Sequence, residues 1–238
     1  ARLAGSIVRM KRMDINCDMG ENAGHVAGGT QEALMRLVTS VNIACGAHAG
    51  DEAIMRATIE QAMRAGVAIG AHPGYEDRAN FGRVELALGA EKIAASVERQ
   101  VRALARVADA CGAKIAHVKP HGALYNQAVG DRGIARAIAA GVARWRGDVA
   151  MVGLAGPAGV AMLEEFRAAG FAVWAEAFAD RRYEADGSLR SRRFDDALIR
   201  DPAEAAAQVA RIAGGEGVIA AGGAIVPMEA QTICVHGD

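Results

Sequence analysis

The chain has 238 residues, 52% hydrophobic and 23% charged, which is enough apolar material for a sizeable core and too little charge for a disordered chain. Its 27 basic and 28 acidic residues leave a formal charge of −1, so no overall field draws it to nucleic acid or to an anionic membrane, and neither is expected as a partner. No apolar run reaches membrane-spanning length. Residues 1–12 carry a basic end and too short an apolar stretch for a signal peptide, and read as an N-terminal extension.

From Met13 onward one theme repeats: a short apolar run, a cluster of polar residues and glycine, then an Ala-rich helical stretch. The first run is Met13–Cys17, with a helix predicted over Glu32–Val38. The second, Val41–Ala44, precedes a helix from about Asp51 to Ala65, with Asp51 placed to cap it. The third, Val67–Ala71, leads through a Gly- and Pro-rich loop to a long helix near Glu91–Ala110. Ile115–Lys119 and Val149–Leu154 are the fourth and fifth runs, with a helix between them. A helix over Ala158–Ala169, a sixth run at Phe171–Ala175 and a last run at Thr232–Val235 complete the pattern. Two stretches depart from it. Phe178–Ile199 contains the turn signal Asp186–Gly187 and reads as a small β-arm, and Gly217–Met228 reads as a hairpin turning at Gly222–Gly223.

Runs that are apolar on both faces and separated by helices indicate a parallel sheet covered by helices. About seven of them suggest a single-domain (β/α) barrel over residues 13–238, with an open doubly wound sheet as the alternative. The four cysteines, Cys17, Cys45, Cys111 and Cys234, form no C-x-x-C pair and sit in apolar settings. They read as small hydrophobes in a reducing, cytoplasmic compartment.

The polar residues gather at the predicted strand ends, where parallel α/β folds bind ligands. The first end carries Asp14, Asn16, Asp18 and Glu21; the second Asn42 and His48; the third His72; the fourth Lys119, His121 and Tyr125; the sixth Glu176 and Asp180; the last His236. Four of the six histidines thus fall at four different strand ends, a placement that favours an active site over structural use. Asp14, Asn16 and Asp18 alternate and share one strand face, fit for a hydrogen-bond network, metal ligation, substrate binding or general-base work. His48 and His72 with a carboxylate such as Asp14 are candidate ligands for a divalent metal, although no H-x-x-x-H or H-E-x-x-H motif is present. Lys119 ends an apolar strand before Pro120 and must meet a carboxylate or a bound anion. Cys45 reads as core. There is no G-x-x-x-x-G-K-[ST] loop, no G-x-G-x-x-G after a strand and no G-x-S-x-G elbow.

The segments DINCDMGE, SVNIACGAHAGD, GAHPGY, VKPHGALYN, EAFADRRY, DGSL and ICVHGD, spread from Met13 to Asp238, together resemble the LamB/YcsF family, the A component of 5-oxoprolinase. The resemblance implies a seven-stranded barrel similar to those of glycoside hydrolases and deacetylases. It implies ATP-dependent hydrolysis of the lactam of 5-oxo-L-proline to L-glutamate, with ATP and Mg²⁺ as cofactors and two other subunits as partners. On that basis Lys119 and His121 stabilise negative charge, and Asp14, Asp18 or Glu176 activates water. Asn16, Glu21, Asn42, Tyr125 and His236 contact substrate, while His48 and His72 bind substrate or a metal that polarises it. Departures from the family pattern fall at Glu76, Val84 and Ser191–Asp196, and the sequence stops where family members continue into a final helix. Two other readings are a stand-alone metal-dependent deacetylase or carbohydrate hydrolase, and a non-catalytic substrate-binding or scaffolding subunit.

Overall fold

The computed structural model describes residues 13–236; the extension assigned to residues 1–12 lies outside them, as do Gly237 and Asp238. Seven parallel strands close into a barrel in the order β1 (Asp14–Met19), β2 (Ser40–Ala44), β3 (Ala68–His72), β4 (Ile115–Val118), β5 (Ala150–Leu154), β6 (Ala172–Phe178) and β9 (Thr232–Cys234). The last strand pairs with both β6 and β1, Thr232 lying opposite Glu176 on one side and Asp14 on the other, which excludes the open sheet.

Helices α1 (Ala23–Ala27), α2 (Thr30–Met35), α3 (Glu52–Ala65), α4 (Ala90–Cys111), α5 (Gly122–Gly130), α6 (Arg132–Ala143), α7 (Val160–Ala168) and α8 (Pro202–Ala213) flank the strands. Asp51 caps α3 as expected, its carboxylate accepting the Ile54 N–H at 2.9 Å. The helix predicted over Glu32–Val38 is α2, which begins two residues earlier and ends at Met35, and an unpredicted short helix, α1, precedes it. Asn22 accepts the N–H groups of Gly24 and His25 to start α1, and Gly28–Gly29 separates it from α2. Asp131 likewise divides the segment between β4 and β5, accepting from Gly133 and Ile134 to start α6. Helix α8 is absent from the sequence-based expectations, although Asp201 caps it and Pro202 occupies its first turn.

The two irregular stretches behave as predicted. The arm after β6 is held by antiparallel bridges Arg181–Leu198 and Tyr183–Leu189, with Asp186 accepting the Ser188 N–H in the turn and Gly187 at φ +85°. Strands β7 (Val218–Ile219) and β8 (Ile225–Val226) form the hairpin.

The barrel wall sorts its side chains by strand alternation. Val41 and Ile43 of β2 face the helices, while Ser40 and Asn42 face the axis, and all four are buried. The axis is filled by polar groups. Such a core is stable only if each group is paired, and that pairing builds the site. One glycine makes room for it: a Cβ at Gly70 of β3 would lie 2.1 Å from Nε2 of His117 on β4, so only glycine lets that imidazole lie across the axis. Among the described residues no helix is long and apolar enough to cross a membrane.

Candidate active site

The axial network runs the length of the barrel. His117 Nε2 donates to Asn42 Oδ1 at 2.7 Å, and Asn42 Nδ2 donates to Asn16 Oδ1 at 2.7 Å and Asp18 Oδ1 at 2.8 Å. Asn16 Nδ2 donates to Thr232 Oγ1 at 2.7 Å and Glu176 Oε1 at 3.1 Å. Thr232 Oγ1 donates to Asp14 Oδ2 at 2.5 Å, and Asp14 also accepts from the hydroxyls of Thr39 and Ser40. Asp14 therefore sits at the opposite end of the barrel from the strand C-termini. The structure does not bring it to His48 and His72, so the expected metal set of Asp14, His48 and His72 does not assemble.

Lys119 is the hub above this network, only 2% exposed. Its Nζ lies 2.8 Å from Glu176 Oε1, 3.1 Å from Asp18 Oδ1, 3.3 Å from Asn16 Oδ1 and 3.1 Å from Cys234 Sγ. Burial opposes its charge, but Asp18, Cys234 and Glu176 outweigh that and hold the ammonium well above the usual lysine range. Asp18 is the reciprocal case: burial pushes it up, while His72 and Lys119 hold its carboxyl well below the usual range. Glu176 lies within β6 and points inward, where the sequence alone suggests a position beyond a shorter strand. Its Oε2 and the nearby Tyr125 hydroxyl, both buried, have no hydrogen-bond partner among the described residues.

Four further side chains converge beside this hub. His72 ends β3 with Nε2 3.2 Å from Asp18 Oδ2, and its Nδ1 donates to the Lys119 carbonyl at 2.8 Å. His121, preceding α5, stacks on His48 with ring centroids 3.7 Å apart and lies 3.0 Å from His72 through Nδ1. Glu21 reaches in from the end of β1, its Oε1 3.0 Å from His48 Nε2 and 3.5 Å from His121 Nδ1. Burial and its His72 neighbour push His48 down to about 3, and burial with both neighbouring imidazoles lowers His121 well below the usual range. Glu21 is raised by burial and by Asp18. Ligand-type atoms of Glu21, His48, His72 and His121 all lie within 4.8 Å of one another, as do those of Asp18, Cys234 and His236.

These groups open onto a cavity of about 1070 Å³. Asp18, Glu21, His72, Lys119, His121, Tyr125 and His236 line it, whereas Asn16, Asn42, His48 and Glu176 stand behind its surface. His236 Nδ1 donates to Asp180 Oδ2 at 2.9 Å, and its Nε2 faces the cavity, 3.6 Å from Asp18 Oδ2. Against the upward push of burial, the hydrogen bond from His236 holds Asp180 below the usual range. Cys45 is core as expected, its thiol pushed up to about 12 by burial.

Two residues, His117 and Arg181, and one pairing, Asp180 with His236, are not evident from strand-end placement. His117 lies inside its strand, yet it shares a face with Lys119 two residues on, and that alternation signals an axial position. Asp180, placed after the sixth strand by the sequence, pairs with His236, and nothing in the sequence ties the two together. Arg181, whose guanidinium is buried and lowered to about 10 by burial and by Arg192, lines the outer cavity with Arg83 and Arg192.

Fold and site together define a parallel (β/α) barrel whose ionisable side chains meet at the strand C-termini, where barrel enzymes carry their chemistry. A profile of the LamB/YcsF family matches residues 13–238, and the chain belongs to that family, as its motifs indicated. It is 48% identical over 229 residues to a Chloroflexus aggregans protein named as the A component of 5-oxoprolinase, covering 96% of this chain and 90% of that protein. It is 46% identical over 228 residues to a protein of the same name from Methylococcus capsulatus, covering 96% and 86%. The crystal structure of the lactam utilization protein of Thermus thermophilus superposes with a TM-score of 0.86 at 41% identity, covering 94% of this chain and 90% of that one.

Proposed function

We propose that this chain, acting as one domain, is the hydrolytic subunit of a 5-oxoprolinase. The assembly, with two other subunits, opens the lactam of 5-oxo-L-proline to L-glutamate and consumes ATP. The observation that carries the reading is the buried Lys119, locked between Asp18 and Glu176 at the floor of a strand-end cavity. The names of the relatives from Chloroflexus and Methylococcus support the substrate, and that of the Thermus protein supports its lactam class. Four free cysteines accord with a reducing, cytoplasmic setting.

A lactam carbonyl is a weak electrophile. Transfer of the ATP γ-phosphoryl group to that oxygen gives ADP and an activated ring carbon; one water adds there and the C–N bond breaks to free the amine and leave an acyl phosphate, which a second water hydrolyses to L-glutamate and phosphate. The sequence has no standard phosphate loop, so the reading assigns ATP and its Mg²⁺ to the assembled enzyme. In the cavity, Lys119 stabilises negative charge that develops on oxygen. His236 takes the proton of the attacking water through Nε2, its tautomer fixed by Asp180. Asp18, held ionised, orients that water, and Asn42 and Lys119 hold Asp18 in place. Glu176 and Asn16 act on Lys119 from behind. Among the expected substrate contacts, Glu21, His72, Tyr125 and His236 reach the cavity directly.

The test is glutamate release from 5-oxoproline, with and without ATP, by this chain alone and mixed with the two candidate partner subunits. Release is expected only in the mixture supplied with ATP. No glutamate from a mixture that co-elutes as a complex would overturn the reading.

A further inference from the structure

The hydrogen bonds around His72 and His121 fix where their protons lie. His72 Nδ1 is 2.8 Å from the Lys119 carbonyl, and His121 Nε2 is 2.8 Å from the Phe81 carbonyl. A carbonyl only accepts, so each of those nitrogens carries hydrogen. The other two nitrogens, His72 Nε2 and His121 Nδ1, face each other at 3.0 Å, too close for both to carry hydrogen, so at most one proton lies between them. Their surroundings add more acceptors: Asp18 Oδ2 is 3.2 Å from His72 Nε2, and Glu21 Oε1 is 3.5 Å from His121 Nδ1. A single hydrogen there cannot serve two ring nitrogens and two carboxylates at once, so buried acceptors remain that a metal cation among them would satisfy.

We propose that Glu21, His72 and His121 bind one first-row divalent transition metal of the Zn²⁺ type. Two neutral imidazoles and a carboxylate, drawn from the ends of three different strands, make a mixed nitrogen and oxygen set suited to such an ion. The outer contacts fit as well. Metal-bound imidazoles ordinarily donate their second N–H to a carbonyl or carboxylate, and both rings do so here. His48 Nε2 meets Glu21 Oε1 at 3.0 Å and holds that carboxylate in position. The set differs from the Asp14, His48 and His72 trio because Asp14 is tied to hydroxyls at the far end of the barrel. The site goes beyond the lactam reading, and its readout is bound metal, so it stands or falls apart from turnover.

The experiment uses the tag-free chain, stripped with EDTA, dialysed and titrated with ZnCl₂ by calorimetry. Elemental analysis and X-ray absorption on the reloaded wild type complete it. The expected result is about one Zn²⁺ per chain with imidazole and oxygen scattering and no sulfur. Glu21→Gln and His121→Gln should weaken binding by more than about 100-fold, and His48→Gln by roughly 10- to 100-fold, with unchanged circular dichroism. Should a variant fail to fold, the absorption data on wild type decide. Failure of the wild type to retain Zn²⁺, Mn²⁺ or Co²⁺ would overturn the proposal and leave a single proton serving these acceptors. Sulfur ligation, or binding untouched by Glu21→Gln and His121→Gln in folded chains, would overturn it too.

Discussion

Replacing Lys119 with Met keeps an unbranched side chain one atom shorter and removes the charge, leaving Asp18 and Glu176 facing one another across a buried gap. Breaking a buried ion pair from one side costs about 3–5 kcal/mol, because the remaining charge loses its partner without regaining water. In a chain of this size each kcal/mol moves Tm by about 2–4 °C, so Lys119→Met should melt roughly 6–20 °C lower. Adding Glu176→Gln removes one of the stranded carboxylates, and the double variant should regain about 1 kcal/mol or more over Lys119→Met. Urea unfolding followed by circular dichroism measures all three chains. Glutamate release in the assembled complex should vanish in both Lys119 variants, since stability returns without the ammonium that Lys119 supplies. The reasoning fails if Lys119→Met unfolds within about 1 kcal/mol of wild type, or if Glu176→Gln adds its own loss to the double variant.

Gly70→Ala should cost about 2–5 kcal/mol, combining overpacking against His117 with an unpaired Asn42 carbonyl, and His117→Ala should relieve the clash in a non-additive double-mutant cycle read by thermal melting. Burial holds His117 down at about 4 against 6.5 when unfolded, so the unfolded chain binds the extra proton between those values. The stability this contributes, about 3 kcal/mol at most, is complete above pH 6.5 and lost as the pH falls toward 4. His117→Gln should flatten that part of the pH profile of urea unfolding. Asp180→Asn should cut turnover by about 10²- to 10⁴-fold with little change in KM, because it frees the His236 tautomer while leaving the cavity walls in place; unchanged turnover would remove His236 as the base.

The strands are legible because apolar residues face the helices along every run, and strand-end glycines and histidines mark where the cavity opens. Height along the axis is harder. Asp14, Asn16 and Asp18 alternate and so share a face, but alternation says nothing about level. Register places Asp14 beside Thr232 at one end and Asp18 beside Asn42 nearer the cavity. Glu176 reads as lying beyond its strand because a charge ordinarily marks the end of a buried run. It stays within β6 since Lys119, 101 residues from Asp18 and joined to it across the barrel, neutralises it there. That compensation depends on contacts remote in sequence. His117 is hidden for the same reason, its space being granted by Gly70 on the neighbouring strand.

The imidazole that Gly70 admits also lies 5.2 Å from the ring of Trp174. The chain has only two tryptophans, and the other, Trp145, sits in a separate setting beside Arg146. An imidazolium quenches indole emission through electron and proton transfer that a neutral ring does not support. With Trp145 replaced by Phe, the remaining emission becomes an optical gauge of the barrel axis, dimming as His117 gains its proton. The state of the barrel interior can then be followed in an intact chain, without label or substrate.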